Sequence, residues 1–127
     1  MHKKPKLILL INHRRHMREL LKSDLLYLGH PNVIEATSGK GGMKMIVEHS
    51  PDLVIIDLNI PDLLGITLFL NWFKALYKPP KLQPIKAVAI SSSGLPMPRA
   101  RVEAVGCDMF LPRSYQLEHL RTAVESA

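Results

Sequence analysis

The stretch SPDLVIIDLNIPDLLG, residues 50–65, decides how the chain is read. Four large apolar residues, Leu53 to Ile56, run without a break and stop at an acid, Asp57. An apolar run this short reads as a buried strand. A carboxylate at its end belongs at a rim or in a crevice, because an unpaired charge is costly in a core. Pro61 and Asp62 then open a helix running to about Tyr77, with Leu64, Leu68 and Phe73 among its apolar positions.

The same alternation extends to both sides. Leu7 to Ile11 is a short continuous apolar run. Arg14 to Leu28 carries Met17, Leu20, Leu21, Leu25 and Leu28 at helical spacing, and Gly29 with Pro31 ends that helix. Asn32 to Ala36 reads as a strand. Gly39 to His49 places Met43, Ile46 and Val47 on one helical face. Beyond the opening stretch, YKPPKLQP is a connector whose prolines bar both helix and strand. Lys86 to Ile90 is a fourth strand, followed by the loop SSSGLPMP. Pro98 to Val105 is a short helix, Met109 to Leu111 a fifth strand, and Tyr115 to Ser126 the last helix, with Leu117, Leu120 and Val124 inward. Five strands and five helices in alternation, the strands near-continuous apolar runs, argue for an α/β fold with a parallel sheet covered on both faces. In such a sheet, ligands bind beyond the carboxyl ends of the strands. The residues there are Asn12 and His13, Asp57 with Asn59, Ser91 with Ser92, and Arg113.

Composition bounds the function. At 127 residues, 1–127 reads as one domain, and 46% hydrophobic residues suit an ordinary globular core. Lys and Arg outnumber Asp and Glu by 17 to 11. The basic residues are scattered and the aromatics few, so a solvated cationic surface is favoured over nucleic-acid or membrane binding. A lone cysteine, Cys107, allows no internal disulfide. The N-terminal apolar run is too short for a signal peptide and no run is of membrane-spanning length, which makes the cytoplasm the expected location.

PDLVIIDLNIPDLLG resembles the central motif of response-regulator receiver domains, the phosphoacceptor modules of two-component signalling. EATSGKGGMKMI after the second strand, AVAISSSG after the fourth and GCDMFLPRS at the fifth extend the resemblance over essentially the whole chain. It implies a doubly wound, flavodoxin-like fold with strand order 2-1-3-4-5. It implies Asp57 as phosphoacceptor, Ser91 as the hydroxyl that binds the phosphoryl group, and Phe110 as the aromatic whose rotamer reports activation. Arg113 stands where the family has a lysine. The implied partner is a histidine kinase or phosphotransfer protein, or a downstream protein effector. A homodimer through the fifth strand and last helix is compatible with it.

The departures bear on the chemistry. Where the family's first strand ends in two acids that hold Mg²⁺, this chain has Asn12 and His13. The remaining metal-site positions are Asp57 and Asn59. Mg²⁺ prefers octahedral oxygen ligands, and an imidazole suits softer ions. Phosphoryl transfer needs charge on the transferring oxygens neutralised, so Mg²⁺ is in doubt and the protein's own cations are its substitutes. Arg113 is expected to pair with Asp57 directly through its planar fork. Pro112 precedes Arg113, and Ser114 follows it where the family usually has proline. Two functions follow: a stand-alone receiver phosphorylated on Asp57, or a pseudo-receiver that binds partners without phosphorylation.

Other motifs carry blander readings. His13 and His16 could chelate a metal with Asp57, but such a pair is more often on the surface. RRHMR, residues 14–18, opens a helix with cations that the helix dipole disfavours; a solvated face stays ahead of an anionic partner. SGKGG, residues 38–42, lacks the ending of a phosphate loop and reads as a glycine-rich helix entrance. SSS, residues 91–93, has no nucleophile elbow around it.

Overall fold

The computed structural model describes residues 5, 7–76, 85–91 and 107–125. Five strands form one parallel sheet: β1 (Ile8–Ile11), β2 (Val33–Ala36), β3 (Leu53–Asp57), β4 (Lys86–Ile90) and β5 (Met109–Leu111), in the order β2-β1-β3-β4-β5. Four helices are described: α1 (Arg15–Tyr27), α2 (Gly39–His49), α3 (Leu63–Leu76) and α4 (Leu117–Glu125). The helix expected over Pro98–Val105 and the connector YKPPKLQP lie outside the described residues.

The central strands β1 and β3, up to the closing Asp57, are apolar on both faces because both faces are covered. Leu9, Ile11, Val54 and Ile56 point to one side, where Ile46 of α2 and Ile66, Leu70 and Phe73 of α3 meet them. Ile8, Leu10, Leu53 and Ile55 point to the other, against Met17, Leu21 and Leu25 of α1 and Leu120, Ala123 and Val124 of α4. Each such fully buried aliphatic side chain contributes about 1.5–3 kcal/mol relative to exposure.

Some inward faces differ from expectation. Val47 is mostly exposed, and Leu20 and Leu117 lie at the boundary of the buried stripe. In α2 the buried stripe runs through Gly39, Gly42 and Ile46. Glycine serves there because α2 lies so close to β1: a Cβ added at Gly42 would stand 2.5 Å from Cδ1 of Ile11. In α4, Ala123 takes the place expected for Leu117. Helix α1 ends as the sequence suggests, with Gly29 in the left-handed region at φ 93°.

Candidate functional site

The site is built at the carboxyl rim of the sheet. Ile11 pairs in register with Ile56, and Asp57 with Ile90. Asn12, Asp57 and Ser91 therefore leave β1, β3 and β4 side by side. Asp57 is fully buried at 0% exposure, and Asn12 and Ser91 are nearly so. The backbone N–H of Asn59 donates to Oδ1 of Asp57 at 2.9 Å. The Ser91 hydroxyl donates to Oδ1 of Asn59 at 3.1 Å. The N–H of Leu58 donates to the Ile90 carbonyl at 2.9 Å, which holds the turn after β3 against β4. Asp57, Asn59 and Ser91 thus form one connected chain of polar groups.

On the other side of Asp57 stands His13. Its Nδ1 lies 3.8 Å from Oδ2 of Asp57, and its side chain is 37% exposed. That separation is an ion-pair distance, longer than a hydrogen bond. Asn12 is turned away from the role of a metal ligand. Its Oδ1 accepts the N–H of Arg14 at 2.8 Å, which starts α1. This contact fixes which end of the amide is oxygen and leaves Nδ2 buried without a hydrogen-bond partner among the described residues.

The structure does not make the expected Asp57–Arg113 pair. Arg113 is exposed beyond Pro112 at the end of the edge strand, and no ion pair joins it to Asp57 among the described residues. The cation that stands beside Asp57 is His13, which follows β1, the immediate neighbour of β3. Phe110 is partly buried and packs against the core on the α2–α3 side. The His13–His16–Asp57 arrangement does not form, since no group of three His, Cys, Asp or Glu side chains is placed to hold a metal among the described residues. Cys107 is buried and forms no disulfide.

Two supporting groups escaped sequence reasoning. Arg18, within RRHMR, donates from Nη1 to the Asn12 carbonyl at 2.9 Å and from Nε to Glu35 at 3.1 Å. Lys22 reaches the other oxygen of Glu35 at 3.1 Å. Part of the basic run therefore braces the turn after β1. Asp62 caps α2, accepting from the N–H groups of Gly39 at 2.7 Å and Lys40 at 2.8 Å. Those bonds, Gly39's first, hold its carboxyl below the usual carboxylate value. With the Ser38 hydroxyl accepting from the Gly41 N–H at 3.0 Å and the Ser38 carbonyl from the Gly42 N–H at 2.9 Å, the amides of Gly39 to Gly42 are engaged by the protein's own oxygens. The only available signal was the acid itself, and a separation of 23 residues hides its target.

The donor set does not suit Mg²⁺. Of the expected metal positions it offers one carboxylate, the side-chain amide oxygens of Asn12 and Asn59, which already accept from the Arg14 N–H and the Ser91 hydroxyl, and an imidazole nitrogen. A hard cation that wants several oxygens finds too few.

A polar site at the point where a parallel sheet reverses its winding defines a doubly wound, flavodoxin-like α/β protein. Within that class the chain belongs to the response regulator receiver domains of two-component signalling, whose sequence profile matches residues 8–125. It is 25% identical over 119 residues to the probable chemotaxis protein CheY of Rhizobium etli, covering 94% of this chain and 89% of that protein. Two solved structures share the fold. One is the receiver domain of the Saccharomyces cerevisiae response regulator Ssk1, co-crystallised with the histidine phosphotransfer signaling protein Ypd1 (TM-score 0.79, 20% identity, 96% of this chain and 88% of that one). The other is the Thermotoga maritima response regulator TrrA in complex with Mg²⁺–BeF (TM-score 0.75, 22% identity, 94% and 96%). No helix among the described residues is long and apolar enough to cross a membrane.

Proposed function

We propose that this receiver domain, spanning residues 1–127 as one unit, is a pseudo-receiver: a protein-interaction module of two-component signalling whose site is held by its own side chains. The observation that carries this reading is the complete burial of Asp57 beside His13, at 3.8 Å. A carboxylate attacks a phosphoryl donor only if the donor reaches it and the transferring oxygens are neutralised. Here the carboxylate is covered, and the positions that would recruit a divalent ion hold an engaged amide and an imidazole. The exposed Arg113 is then free of the site and available to a downstream protein effector.

A second reading is favoured by a different observation. The Asp57–Asn59–Ser91 chain retains the hydroxyl beside the acid. In this reading His13 swings aside, Asp57 accepts a phosphoryl group, Ser91 binds its oxygens, Arg113 takes the role of the family's lysine, and Phe110 reports the change. A histidine kinase or phosphotransfer protein is the donor, as the co-crystal of the Ssk1 receiver with Ypd1 suggests by analogy. Either function places the chain in the cytoplasm.

Incubation with acetyl phosphate or beryllofluoride, with and without Mg²⁺, separates the two. The pseudo-receiver predicts no added phosphoryl mass and no Mg²⁺-dependent change in the spectrum, for wild type and Asp57→Asn alike. A phosphoryl adduct on wild type that Asp57→Asn abolishes establishes the second reading instead.

A further inference from the structure

The rim that holds Asp57 also gathers the starts of the helices, and its charges do not balance. The acids are engaged within the protein. Asp57 is sealed beside His13, and Asp62 accepts from the Gly39 and Lys40 amides. Glu19 pairs with Arg15, Glu35 with Arg18 and Lys22, and Glu118 with Arg121. Three cations remain. Arg14 before α1, Lys40 in the first turn of α2 and Arg113 after β5 are exposed, and no acid holds their side chains among the described residues. Of RRHMR, then, Arg15 and Arg18 find acids within the fold and Arg14 does not.

The backbone adds to the imbalance. Helix α1 has no side-chain cap and no acid in its first turn. Its open N–H groups and the positive end of its dipole therefore meet Arg14 at the rim. A cation there opposes the helix dipole, so Arg14 does not serve α1. The Oδ1 of Asn12 is taken by the Arg14 N–H, and its buried Nδ2 has no acceptor among the described residues. The positive end of that amide dipole is left uncompensated at the same helix start.

Spacing and composition say what fits. Adjacent strands stand about 4.8 Å apart. From β2, which leads to Lys40, to β5, which leads to Arg113, is four gaps, on the order of 19 Å. Arg14 lies between them, beyond β1. An extended polypeptide rises about 3.3 Å per residue, so about six residues cross that span. Single-stranded nucleic acid needs aromatic faces on which its bases stack. Here Phe110 packs against the core, and Tyr115 is half-buried with its hydroxyl tied to Asp24.

We propose that the carboxyl rim docks an acidic, extended segment of a protein partner, with carboxylates set over Lys40, Arg14 and Arg113. This surface rests on the pseudo-receiver reading, in which the partner is a protein, and gives that partner its chemistry. Exposed ion pairs are individually weak and screened by salt, so the contact is modest in affinity and salt-sensitive.

Fluorescence anisotropy with fluorescein-labelled octaglutamate tests this on the full chain. At about 0.05 M salt the expected Kd is on the order of 100 μM, and about 0.5 M salt should weaken it at least tenfold. Triglutamate, too short to span the rim, should bind at least about tenfold more weakly. Arg14→Gln/Lys40→Gln/Arg113→Gln should weaken octaglutamate binding at least about tenfold. Lys22→Gln/Lys44→Gln/Arg121→Gln removes the same charge from side chains that already hold acids, and should weaken it less than about threefold. All six side chains are exposed, so the unfolding midpoints should hardly move. Equal losses from the two triple variants would reduce the effect to net charge and overturn the proposal. So would tighter binding of an octamer of single-stranded thymidylate, which would assign the cations to nucleic acid. Acetyl phosphate treatment of the same wild-type sample separates this surface from the reading beneath it. A phosphoryl adduct on Asp57 with rim binding intact defeats the pseudo-receiver and leaves the surface standing; no adduct and no binding defeats the surface alone.

Discussion

The imidazole of His13 and the carboxylate of Asp57 face each other across 3.8 Å at the carboxyl rim, one partly exposed and the other sealed. The substitution Asn12→Asp/His13→Asp replaces that arrangement with three neighbouring carboxylates. Like charges this close oppose one another, so the metal-free double variant should lose roughly 1–3 kcal/mol of stability. Mg²⁺ should restore it through linkage. Calorimetric titration should show Mg²⁺ binding at least about tenfold tighter than wild type. Equal affinity in the two proteins would remove Asn12 and His13 as the cause of poor metal binding.

Two glycines should respond to alanine with opposite signs. At Gly42 the new methyl would press on Ile11, 2.5 Å from Cδ1 and 3.0 Å from Cγ1. Ile11 is fully buried in the core and has little room to yield. Overpacking should outweigh the gain in helix propensity and leave a net loss of about 1–2 kcal/mol. At Gly65 no described atom stands in the way, so the same change should stabilise the fold by about 0.5–1 kcal/mol. Urea unfolding measures both.

The Asp62 cap predicts an acid-labile contribution. Its folded-state pKa is depressed by the N–H bonds of Gly39 and then Lys40. A depressed carboxyl stabilises the fold above its unfolded pKa, about 3.9, and that stability fades as pH falls through the lower folded value. Asp62→Ala should cost about 1 kcal/mol near neutrality. The gap between the two urea midpoints should close as pH drops below about 3.9. A gap that is constant with pH would mean that the charge of Asp62 is irrelevant to the cap.

Tyr115 makes the alkaline counterpart. Its hydroxyl donates to Oδ2 of Asp24 at 2.6 Å and ties the segment before α4 to α1. Burial first, and then the Asp24 bond and charge, push its phenol well above the ordinary value. A raised pKa contributes stability that is fully present below about pH 10 and is lost as the unfolded chain ionises above it. Tyr115→Phe should cost about 1 kcal/mol at neutral pH and flatten the decline above pH 10, read from denaturant midpoints across that range. An unchanged alkaline slope would show that Tyr115 does not control it.

Sequence alone located the strands, because most are short, nearly continuous apolar runs that can be satisfied only by cover on both faces. It also put Asn12, His13, Asp57 and Ser91 at strand ends, since a polar residue closing such a run has to emerge at a rim. Which face of α3 turns inward was beyond it. Leu64, Ile66, Leu68, Leu70, Trp72 and Phe73 surround that helix with apolar groups, so periodicity has no polar side to read against. Tertiary structure decided that Ile66, Leu70 and Phe73 go in and that Leu64, Leu68 and Trp72 stay outside. It also decided the partners of the charged groups: His13 for Asp57, Glu35 for Arg18, and the α2 amides for Asp62. The physical reason is range. Burial is a property a residue carries along the chain, whereas an ion pair or a cap depends on which strand lies next to which, and only the folded sheet sets those distances.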